Sequence, residues 1–125
     1  MMDLAPRRAS LDEMYGPLSG DLTLHLLNGH LDAGGTEITG PGYDPGVIPD
    51  DGWEPADSDG IKAPTDLVDC GTPTDAWSAT VTHYVLRDSS DDSWGCFKWQ
   101  EPLTVNSAGG PVLMRPTPFF GENDN

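Results

Sequence analysis

Ala79-Thr80-Val81-Thr82-His83-Tyr84-Val85-Leu86-Arg87 decides the fold. β-branched and aromatic residues dominate this stretch, a composition that suits a pleated, half-buried strand and disfavours a helix. Read with a period of two, Ala79, Val81, His83, Val85 and Arg87 share one face and Thr80, Thr82, Tyr84 and Leu86 the other. Asp88 to Ser93 reads as an acidic hairpin loop, and Trp94 to Gln100 as the returning strand. On that strand Trp94, Cys96 and Lys98 oppose Gly95, Phe97 and Trp99.

Working outward, Asp21 to Leu27 is expected to be the first strand, with Leu22, Leu24 and Leu26 alternating with Thr23, His25 and Leu27. Asn28-Gly29 is a turn signal. Residues 32–64 carry turn signatures throughout, among them Gly34-Gly35, Gly40-Pro41-Gly42, Asp44-Pro45-Gly46 and Pro49-Asp50-Asp51-Gly52. A structureless segment of that length is uncommon inside a small domain. A short strand is therefore expected near Gly46–Ile48, with Trp53 pinning the loop to the core. Further short strands are expected at 66–70, 103–105 and 111–115. The chain of 125 residues contains 15 Gly and 12 Pro, which leaves little room for long helices. About five to seven short antiparallel strands with frequent turns point to a mostly β fold, a small antiparallel β-sandwich or barrel with long acidic loops. Leu24, Trp77, Val81 and Val85 are expected to share one buried core cluster. No internal repeat or heptad is present, which argues against a fibre shaft.

The organisation expected is an N-terminal arm at 1–20, a β domain at 21–118 and a C-terminal tail at 119–125. The arm holds two of the six basic residues, Arg7 and Arg8, in a chain with 21 acidic residues and a net charge of −15. Arg7, Arg8, Leu11, Met14 and Tyr15 are the candidate assembly or docking residues: the apolar ones would enter a neighbour's groove and the arginines would pair with acids there. Such an arm, with few apolar residues, is expected to be disordered in the free chain.

The charge disfavours nucleic acid and anionic membranes as partners. There is no apolar run of ~18 residues of the kind that spans a bilayer. His25 and His83 fall in the two clearest strands, but no spacing links a histidine to a nucleophile, so no catalytic residue is assigned. Cys70 and Cys96 match no metal-ligand spacing; free thiols are the default and one bridge is the alternative. The acidic clusters at Asp50-Asp51, Asp57-Ser58-Asp59-Gly60 and Asp88 to Asp92 lack the closing bidentate acid of a calcium loop. No metal site and no cofactor is expected. Trp94, Phe97 and Trp99 are read as packing residues in preference to a sugar platform.

Three blocks carry a resemblance: Leu22-Thr23-Leu24-His25-Leu26-Leu27, then Asp32-Ala33-Gly34-Gly35-Thr36-Glu37-Ile38-Thr39-Gly40 with Gly42-Tyr43, and Ala76-Trp77-Ser78-Ala79-Thr80-Val81-Thr82-His83-Tyr84-Val85-Leu86-Arg87-Asp88. Their order resembles a family of small virion proteins of tailed bacteriophages, commonly labelled tail fibre proteins. The resemblance runs from about Leu22 to Pro116 and departs from the family pattern at Asp44-Pro45 and at Ser78. It implies a virion location and a structural, non-enzymatic role, with other capsid or tail proteins as partners and a homo-oligomeric state. A capsid decoration or stabilising surface protein fits a domain without repeats best. A minor tail or tail-fibre component, or a carbohydrate-binding receptor module, is the alternative.

Overall fold

In the computed structural model, residues 12–56 and 62–118 are described. Among these residues six strands form in chain order: β1 (Leu22–Leu27), β2 (Gly46–Ile48), β3 (Val68–Asp69), β4 (Val81–Arg87), β5 (Ser93–Leu103) and β6 (Leu113–Met114). Antiparallel pairing builds a four-stranded sheet in the order β2-β1-β4-β5 and a two-stranded ribbon, β3-β6. The mostly β, antiparallel expectation holds. The larger sheet is open, with β2 and β5 at its edges, and loops provide most of what covers it.

Leucine alternation in β1 works as the sequence indicates: Leu22, Leu24 and Leu26 are fully buried on one face. They meet Ile38, Ile48, Val68, Cys70, Trp77, Val81, Tyr84 and Leu86 in the main core. Phe97 and Trp99 of β5 stack on Tyr84, at ring separations of 5.4 and 4.2 Å, so they are packing residues. Trp77 seals one side of this core: its indole N–H donates to the Pro41 carbonyl and its ring meets Tyr43 edge-on.

Two expectations are corrected here. Leu24, Trp77 and Val81 do share the main cluster, whereas Val85 is buried on the opposite face of the sheet, paired with His25 and Cys96. The cause is an irregularity: the β4–β5 register jumps between Val81 and His83, so Val81 sides with Tyr84 and Leu86. A strict two-residue alternation does not survive such a shift. Strand β5 also runs past Gln100 to Leu103. Pro102 is tolerated there because β5 is an edge. The expected strand at Gly46–Ile48 is present, and Trp53 packs half-buried against the core.

Candidate functional site

Of the candidate docking residues, Arg7, Arg8 and Leu11 lie outside the described residues, as does the tail at 119–125. Met14 and Tyr15 do not belong to an arm held for a neighbour. Tyr15 is 3% exposed in this chain's own core, and Met14 packs against the same cluster. The Tyr15 ring lies 5.4 Å from that of Trp53, and its hydroxyl donates to the Trp94 carbonyl at 2.6 Å. Burial pushes the phenol up to about 12, so it stays a donor. Just before it, the Asp12 carboxylate accepts from Lys62 Nζ at 2.6 Å and from the Ala56 amide at 2.7 Å. Residues 12–20 are therefore part of the folded domain. A lone Tyr near a chain terminus finds more apolar contact by folding back than the composition of its segment suggests.

A surface suited to docking lies elsewhere. Val47, Leu67 and Leu113 are 61%, 55% and 47% exposed. Val47 and Leu67 share a shallow concavity with Pro49, Gly52, Pro64 and Asp66. Leu113 sits on the neighbouring ribbon, paired with exposed Asp69. Asp50 and Asp51, which follow Pro49, are exposed as well. The result is an exposed apolar concavity at Val47 and Leu67 with Asp66 in its lining, and a further exposed leucine at Leu113.

A polar network occupies the face of β1 that looks away from the main core. Thr23 and His25, two residues apart, lie on that one face. Thr23 Oγ1 and His25 Nε2 are 2.7 Å apart, and His25 Nδ1 is 2.8 Å from Glu37 Oε2. Glu37 is brought there by a bridge to Leu27 and by the Ile38 amide donating to the Leu26 carbonyl. Tyr43 Oη donates to the same Glu37 oxygen at 2.6 Å while accepting from the Leu26 amide at 3.0 Å. Burial, and then the carboxylate beside it, raises the Tyr43 pKa, which keeps this hydroxyl protonated. Sequence reading noted His25 but missed Thr23 and Glu37, because a carboxylate twelve residues away is placed by the loop and not by any local period.

His83 and His30 lie on the same side of the sheet as Val85, with rings edge-to-face at 5.7 Å. Cys70 and Cys96 are free thiols, Cys70 in the main core and Cys96 paired with Val85. Among the described residues no group of three or more His, Cys, Asp or Glu side chains is placed to hold a metal ion, and no helix is long and apolar enough to cross a membrane.

The acidic hairpin loop is organised by one of its own carboxylates. Asp88 accepts from Trp94 Nε1 at 2.9 Å, from the Asp92 amide at 3.0 Å and from the Ser90 amide at 2.9 Å. These donors, Trp94 foremost, hold its carboxyl below the usual carboxylate range. The contribution of a group with a lowered folded pKa is present above the ordinary unfolded value, ~3.9, and is lost as pH falls through the folded one. Hydrogen exchange of the Ser90 and Asp92 amides is expected to show steady protection down to about pH 4 and loss below it. Asp88→Asn should remove that pH dependence.

Comparison with family models, with curated proteins and with solved structures gave no match to this chain.

Proposed function

We propose that this chain is a structural protein of a tailed-bacteriophage virion, a capsid decoration or stabilising surface protein that works by docking. The observation that carries the docking is the exposed apolar concavity of Val47 and Leu67 with Asp66 in its lining. Burying a Val or Leu contributes ~1.5–3 kcal/mol, whereas an exposed ion pair contributes ~0–1 kcal/mol. The apolar residues therefore set affinity, and Asp66 favours a partner with a basic group opposite it. The virion assignment rests on the order of sequence blocks around β1, residues 32–43 and β4. The partner under this reading is a shell protein of the particle.

Mass spectrometry of purified particles tests the reading through copy number. Hundreds of copies are expected for a shell protein, and a handful would assign the chain to the tail. Absence from particles would end the virion reading. The paired substitutions Val47→Asp and Leu67→Asp are expected to cut incorporation at least tenfold with the isolated domain still folded. Undiminished incorporation of that variant would show that docking uses another surface.

A further inference from the structure

We propose that Thr23, His25 and Glu37 form a hydroxyl–imidazole–carboxylate relay that makes Thr23 Oγ1 an acyl-accepting nucleophile toward small esters. Both links lie within the 2.6–3.2 Å expected of a nucleophile, its base and the group that orients the base: 2.7 Å for Thr23 to His25 and 2.8 Å for His25 to Glu37. Proton placement follows from the network itself. A carboxylate only accepts, so His25 Nδ1 carries the hydrogen toward Glu37. His25 Nε2 then offers a lone pair to the Thr23 hydroxyl at 2.7 Å, a shorter contact than the hydroxyl's other acceptor, the Arg87 carbonyl at 3.4 Å. Tyr43 fixes the far end, because its hydroxyl is held by the Leu26 amide and donates to the Glu37 oxygen that His25 uses. Glu37 and Tyr43 thus orient the imidazole with Nε2 facing Thr23.

The flanking residues indicate the substrate. Thr23 lies opposite Val47 on one side and Arg87 on the other, all three half-buried or exposed. Val47 gives an apolar contact for a short acyl chain. Arg87 is paired with Thr23 across the strands, and its guanidinium is held by Asp91, with Nη1 donating to the carbonyl at 3.1 Å and Nε 3.8 Å from the carboxylate. Thr23 and His25 are half-buried at one end of a sheet face whose other residues, Val85 and His83, are buried, so access there fits small, activated esters and not a large substrate.

The chemistry balances with water as the only co-reactant. Thr23 Oγ1 bonds to the ester carbonyl carbon and its proton passes to His25 Nε2. The bond from that carbon to the alcohol oxygen breaks, and the leaving alcohol takes the proton from His25. Water then attacks the acyl-Thr23 ester by the same proton route, releasing the carboxylic acid and restoring the hydroxyl.

The test uses the full-length chain and p-nitrophenyl acetate, followed by nitrophenol release and by peptide mass spectrometry. Acetyl is expected on Thr23. Release by Thr23→Val, which keeps the shape and removes the hydroxyl, should fall ~100-fold or more, and His25→Gln should fall as far. Glu37→Gln is expected to fall less, and Thr23→Ser, which restores a hydroxyl, to recover part of the rate that Thr23→Val loses. Circular dichroism and thermal melts of each variant separate loss of chemistry from loss of fold, and Thr23→Ser keeps the comparison open should Thr23→Val unfold. Acetyl found only on lysine or on His25 would overturn the proposal. So would a folded Thr23→Val that releases nitrophenol as fast as the intact chain.

Discussion

Replacing Tyr15 with alanine is expected to destabilise the domain by ~3–5 kcal/mol, the range for deleting a buried aromatic ring. The ring is 3% exposed and touches Trp53, so its loss opens a cavity between the N-terminal turn and the loop that carries Trp53. The hydroxyl adds a second effect, because the Trp94 carbonyl at 2.6 Å would lose its donor. Tyr15→Phe isolates that part and should cost ~0.5–1.5 kcal/mol. Against a total stability of ~5–15 kcal/mol the alanine variant stands near the edge of folding. Urea unfolding followed by tryptophan emission measures both. Truncation gives the complementary check: removal of residues 1–20 should unfold the domain. A folded chain lacking 1–20 would show that Tyr15 decorates the core without supporting it.

The strands were legible because their side chains obey a period that few other structures share. Leu22, Leu24 and Leu26 alternate without interruption, and β1 faces the core as read. β4 was found for the same reason, but its facing was not, since the register jump between Val81 and His83 arises from the partner strand and leaves no mark in residues 81–87. Gly46–Ile48 could be located because a loop of that length requires some fixed point. Tyr15 was misassigned on composition, which describes a segment's average and not where one large ring finds a partner. The Thr23–His25–Glu37 network was out of reach altogether: two of its members are local, and the third arrives by the fold of residues 28–37. The apolar patch was equally hidden. Val47, Leu67 and Leu113 read as strand-compatible residues, and only the assembled fold shows that all three are exposed.

Substituting Gly71 with alanine is expected to cost ~2–6 kcal/mol, the sum of a strained left-handed residue and a local overpacking. Gly71 has φ +100°, a conformation that L side chains rarely adopt, and an added Cβ would fall on the Gly42 carbonyl oxygen. Neither obstacle can yield cheaply, because backbone bonds hold this turn on every side. The Asp44 amide donates to the Cys70 carbonyl at 3.0 Å, the Cys70 amide to the Val112 carbonyl at 2.8 Å, and the Val112 amide to the Gly71 carbonyl at 2.8 Å. The turn therefore ties the chain entering β2 to the chain entering β6, and the core residue Cys70 lies inside it. Burial pushes the Cys70 thiol up to about 12, so in the intact domain it should resist alkylation at neutral pH. In a Cys96→Ser background, iodoacetamide labelling of Cys70 reports the turn directly. Gly71→Ala should raise the labelling rate and lower the urea midpoint together. Gly109→Ala, where no atom lies within 4 Å of the added Cβ, is the control and should stay within ~0.5 kcal/mol of the parent. Equal midpoints for the two variants would mean that the Gly42–Gly71 contact relaxes at little cost, and that the join between β2 and β6 is held by the outer hydrogen bonds alone.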